Sequence, residues 1–118
     1  MNNSDVSVSH ISEAGSHQTL DELVGTWERI TERSCEASLT SADYYQAQRV
    51  SCTTDSVLST YDSAAAIKQN LDLLDELERE LESKSRWLVG QNWTVNVPEE
   101  LLEEFQRDLD GIVVTLGS

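Results

Sequence analysis

The chain has 118 residues, with 22 Asp and Glu against 8 Lys and Arg, giving a formal net charge of −14. Such a length supports one domain with a real core, and no run of about 18 or more apolar residues exists to cross a membrane. The charge repels phosphate backbones and anionic lipid, which argues against direct nucleic-acid or membrane-surface binding and favours basic partners.

Residues 1–17 show no apolar periodicity and are rich in Ser, Asn and His, so the composition predicts a disordered tail followed by a single helical domain over 18–118. The N-terminus also lacks the basic and apolar regions of a secretory signal, so the expected address is cytoplasmic. Structure is expected to begin at Thr19-Leu20-Asp21-Glu22, which reads as a capping box. Leu20, Leu23, Val24, Trp27, Ile30, Thr31 and Cys35 then share one face, predicting a first helix over about 20–38.

A second helix is expected over about 42–60 from Tyr44, Ala47, Val50, Ser51, Thr54, Val57, Leu58 and Tyr61, with a break near Asp55 as the alternative. Its Ser and Thr residues have middling helix propensity, and its stripe is small and semi-polar. That stripe makes self-association as a homodimer through the first two helices an expectation. Asp62-Ser63 caps a third helix that runs to about Leu88, with Ile67, Leu71, Leu74, Leu77, Leu81 and Leu88 inward. Asp75, Glu80 and Glu82 stand four residues before Arg79, Lys84 and Arg86, the favourable order for helix ion pairs.

Gly90 ends that run, and the alternation in residues 91–97 predicts a short extended segment. Pro98 suits the start of a fourth helix, with Leu101, Leu102, Phe105 and Leu109 on its apolar face. Beyond Gly111, the residues Ile112, Val113 and Leu116 keep the helical phase, although Ile-Val-Val favours strand; phase decides for a helix to about 115. The expected fold is therefore all-α, a small antiparallel bundle of about four helices.

No segment carries a reaction or ligand motif, and no cofactor is expected. His10 and His17 both fall in the tail, where neither is positioned for a triad or a zinc pair. Cys35 and Cys52 are not a CxxC pair. On facing helices they would lie more than about 10 Å apart, so both are expected to be free thiols. The acids include no Glu-x-x-His motif and no calcium loop, and Glu78 alone falls within an apolar arc. Asn92-Trp93-Thr94 fits a glycosylation acceptor, which matters only for a secreted chain.

Surface is what remains. The fourth helix presents Glu99, Glu100, Glu103, Glu104, Asp108 and Asp110 against Arg107, a net of −5, and the third presents Asp72, Asp75, Glu76, Glu80 and Glu82. The ordinary use of such faces is solubility. The functional expectation is a non-enzymatic interaction module, an adaptor, assembly chaperone or inhibitor. It would bind a basic protein through Asp72, Asp75, Glu76, Glu99, Glu100, Glu103 and Glu104, with apolar contacts from Trp87 and Trp93. Tyr45 is a weaker contact candidate. The alternative is a nucleic-acid mimic, in which two carboxylate rows on neighbouring helices imitate a phosphate backbone. A small regulatory enzyme or metal carrier ranks last.

Overall fold

The computed structural model describes residues 7–36, 39–40 and 46–117. Over these residues the order is α1 (Val8–Ser12), α2 (Leu20–Thr31), β1 (Leu39–Thr40), β2 (Gln46–Thr53), β3 (Ser56–Tyr61), α3 (Ala64–Glu80), β4 (Ser85–Val89), β5 (Trp93–Asn96), α4 (Glu99–Leu109) and β6 (Ile112–Leu116). This is a mixed α/β fold and not the expected all-α bundle. The strands form one antiparallel sheet in the order β1-β2-β3-β5-β4-β6.

Where the two readings part, the reason is local. Residues 46–61 make a hairpin turning at Thr54-Asp55 in place of the second helix. Val50 pairs with Leu58 on one face, while Arg49 pairs with Ser59 on the other. The β-branched and hydroxyl residues that weakened the helix reading suit such a pleated surface. α3 stops at Glu80, and Glu82 takes a left-handed conformation. Leu81 is consequently left 75% exposed despite its place on the expected inward face. Trp87, Leu88 and Val89 belong to β4. The expected pairs of Glu80 with Lys84 and of Glu82 with Arg86 therefore do not form, whereas Asp75–Arg79 does, at 3.0 Å. α4 ends at a left-handed Asp110, and Ile112-Val113-Val114 follow their strand propensity into β6, correcting the helix expected to 115. The extended segment expected over 91–97 is β5.

Two crossovers build the layers. β3 and β4 run parallel with β5 between them, joined by α3; β5 and β6 run parallel with β4 between them, joined by α4. Both steps move the same way across the sheet but start from oppositely directed strands. A common handedness therefore places the two helices on opposite faces. The core divides accordingly. Leu20, Leu23 and Trp27 of α2 and Leu102, Phe105 and Leu109 of α4 pack with Leu58, Leu88, Trp93 and Val95 on one face. On the other, Ile11 of α1 and Ile67 and Leu71 of α3 pack with Tyr61, Trp87, Val89, Val114 and Leu116.

The N-terminal segment is more than a tail. Ile11 is fully buried, and Ser7 caps α1 by accepting from the His10 backbone amide. Farther on, Asn92 clamps Gln18 through two bonds (Gln18 N donating to Oδ1 at 2.9 Å, Nδ2 donating to Gln18 O at 2.7 Å), and Gln91 Nε2 donates to Gly15 O at 3.1 Å. The four bonds that tie residues 15–18 to the β4–β5 turn are completed by Trp93 Nε1, which donates to Ser16 O at 2.8 Å. These satisfy backbone groups that a free tail would leave to water.

Cys35 and Cys52 form a disulfide, correcting the expectation of free thiols. The estimated separation assumed two facing helices. With Cys52 on β2, and Cys35 in the segment that leaves α2, the Cα atoms come within 4.8 Å.

Candidate functional site

The acids sort by layer. α2 begins with the expected capping box: Thr19 Oγ1 accepts from Glu22 N at 3.1 Å, and Thr19 N donates to Glu22 Oε1 at 2.8 Å. Hydrogen bonding to the carboxylate from the Thr19 backbone amide and then from the Thr19 side chain, with a smaller contribution from His17, lowers the Glu22 pKa. Asp21, Glu22 and Glu32 are exposed along α2, and Glu28 is half-buried, accepting from Cys35 N at 2.8 Å. α4 lies beside it, and Arg29 of α2 reaches Asp108 of α4 at 2.7 Å. With Pro98 at its N-cap and no side-chain cap, α4 leaves its first-turn amides beside Glu99 and Glu100, a favourable place for carboxylates. Glu99, Glu100, Glu103, Glu104, Asp108 and Asp110 are all exposed. Arg86 pairs with Glu99, and Arg107 with Glu103 at 3.5 Å. Glu100 and Glu104 have no ion-pair partner among the described residues.

The third-helix acids are elsewhere. α3 and α4 cover opposite faces of the sheet, so Asp72, Asp75 and Glu76 do not join Glu99, Glu100, Glu103 and Glu104 in one surface. Two neighbouring carboxylate rows, the geometry that a phosphate mimic on these helices requires, are therefore not formed by α3 and α4. Asp72 and Glu76 are exposed, with Asp72 paired to Lys68 at 2.7 Å. Asp75 is buried and holds the backbone just after β6, its Oδ1 accepting from Gly117 N at 2.7 Å and its other oxygen facing Arg79.

The two tryptophans named as contacts are core residues. Trp93 is 0% exposed, and its ring fills a slot walled by glycines: an added Cβ would come within 2.9 Å of it at Gly111 and 3.2 Å at Gly15, and would overlap it at Gly90. Trp87 is buried on the opposite face with its Nε1 donating to Ser85 Oγ at 3.0 Å. Neither offers a ring to a partner. Tyr45 lies outside the described residues. His10 and His17 are exposed, and His17 lies near enough to Glu22 to act on its charge. Among the described residues no three His, Cys, Asp or Glu side chains stand together as a metal site.

One feature of the surface had no counterpart in the sequence reading. Between α4 and the β6 side of the sheet runs a groove of about 310 Å³ lined by Arg86, Glu99, Leu102, Glu103, Gln106 and Val113. It continues past Arg86 and Glu99 into a hollow of about 350 Å³ bounded by Lys84, Ser85, Asn96, Val97 and Thr115. Arg86 and Thr115 are register partners on β4 and β6, and this pairing across distant segments is what no one-dimensional pattern encodes.

Comparison with protein-family models, curated proteins and solved structures gave no match.

Proposed function

We propose that this protein is a non-enzymatic interaction module that docks a basic protein on the α2/α4 layer, acting as an adaptor, assembly chaperone or inhibitor. The observation that carries the reading is the exposed acidic surface of two adjacent helices. Residues 99–110 hold six acids against Arg107, and α2 with its C-cap adds Asp21, Glu22, Glu28 and Glu32 against Arg29. A field of one sign over a continuous face steers an oppositely charged partner and weakens as salt screens it. The sites expected for the partner narrow accordingly to Glu99, Glu100, Glu103 and Glu104, joined by the acids of α2.

The compartment is part of the proposal. A reducing cytoplasm was the default expectation, but the Cys35–Cys52 disulfide favours an oxidising one. No helix among the described residues is long and apolar enough to cross a membrane.

Charge reversal on one face with the other as control tests the reading. With the captured partner, Glu100→Lys combined with Glu104→Lys should slow association by about tenfold or more, and the loss should shrink as salt rises. Asp72→Lys with Glu76→Lys, on the far face, should change it less than about twofold. Equal effects from both pairs would mean that net charge, and not this layer, governs binding.

A further inference from the structure

The two edges of the sheet are managed differently. At one edge the described part of β1 is Leu39–Thr40, the β2–β3 pairing behind it shifts register at Gln46/Gln48 and at Ser51/Thr53, and Cys52 is tied to the segment after α2. Irregular and tethered edges resist pairing with other chains. At the other edge β6 pairs with β4 over five consecutive residues with no register shift, and no described strand lies outside it. Its residues, Ile112-Val113-Val114-Thr115-Leu116, include neither a charge nor a proline. Its flanks are closed by side chains: Gln106 Nε2 donates to Gly111 O at 3.3 Å, and Gly117 N donates to Asp75 Oδ1 at 2.7 Å. Between these stops, alternate residues of β6 turn their N–H and C=O groups away from β4.

We infer that the outer edge of β6 is a strand-addition site for an extended, basic segment of the partner protein. This rests on the proposal that the partner is basic and specifies how it is held. Outward backbone groups in register are matched only by another extended polypeptide. Charge selects which one. On the α4 side, alternate side chains of an added strand would enter the groove lined by Arg86, Glu99, Glu103 and Gln106. Arg86 and Arg107 pair with Glu99 and Glu103 there, but the helix segment above keeps a net −5 with Glu100 and Glu104 unpaired among the described residues, so lysine or arginine is the complement. On the other side they would continue the apolar row of Ile112, Val114 and Leu116, which calls for aliphatic residues. A second copy of this chain meets the backbone demand but not the charge demand. Its β6 brings no cation, and each copy carries −14.

Hydrogen exchange and binding with a short, end-capped peptide of alternating lysine and valine test this on the unaltered chain. The peptide should bind and slow exchange at Ile112–Leu116. The same peptide N-methylated at alternate residues keeps its charge but loses its donors, and should bind at least about tenfold more weakly. Thr115→Lys should weaken the parent peptide similarly by placing a cation on the edge. Equal binding of the two peptides, or protection confined to the outer α2/α4 surface, would overturn the edge assignment and leave the acidic-layer proposal standing. Binding of neither lysine peptide would overturn both. Doubling of the mass without peptide, with Ile112–Leu116 already protected, would assign the edge to a second copy instead. Should Thr115→Lys not fold, the N-methyl comparison still decides.

Discussion

Trp93 shows how one side chain can be misread as a contact and prove to be a keystone. Its indole lies against Gly90, Gly111 and Gly15, and donates to Ser16 O, so it joins β5, the β4–β5 turn, the start of β6 and the N-terminal segment. Any Cβ at Gly90 would overlap that ring, because the glycine is in the turn that the ring folds over. Gly90→Ala should therefore lower stability by about 3 kcal/mol or more, read from the denaturant midpoint at unchanged m-value. A tolerated substitution would mean the indole has another resting place. Composition signals that Trp is valuable, but burial depends on which glycines the fold brings beneath it.

Among the secondary-structure elements, the helix starts were the most legible part of the chain. Thr19…Glu22 and Ser63 cap α2 and α3 as expected, since capping uses residues within one turn of each other. The Glu22 bonds also make a pH prediction. Its pKa is lowered in the fold, so its stabilising contribution is present above the ordinary glutamate range and is lost as pH falls through the lower folded value. The melting-temperature gap between the wild type and Glu22→Gln should accordingly be open near neutral pH and close on acidification. A gap that is constant with pH would assign the effect to packing. Strands were read poorly. Ile112-Val113-Val114 carries a β signal that conflicts with helical phase, and over 46–61 residues three or four apart also fit a small, semi-polar helical stripe. A strand's alternation is short, and here it is blurred because both faces of the central strands are covered, leaving Ser59 and Thr94 buried beside Leu58 and Val95.

The domain taken together is a sheet sandwiched between two helical layers, with a covalent tie at β2. The 17-residue separation between Cys35 and Cys52 implies that the bridge contributes about 3 kcal/mol by restricting the unfolded chain. Reduction with a dithiol, or Cys35→Ser with Cys52→Ser, should lower the unfolding free energy by that order. Exchange should also quicken at β1 and β2 before the β4–β6 half is affected. Uniform loosening would show that the tie supports the entire fold. The same sandwich separates the acidic rows of α3 and α4, so it sets which charges act together. The layer proposed to meet a partner is α2 with α4 because both pack on one side of the sheet.

Charge, the absence of a reaction motif, the helix caps and the greater part of the helix content were available from the chain alone, because each depends on composition or on residues within about one helical turn. The identity of the strands, the Cys35–Cys52 bridge, the burial of Trp87, Trp93 and Asp75, and the place of β6 at the end of the strand order were decided only when distant segments met. Two crossovers of one hand sent α3 and α4 to opposite faces, and that long-range choice determined which carboxylates share a surface and which aromatic rings water can reach.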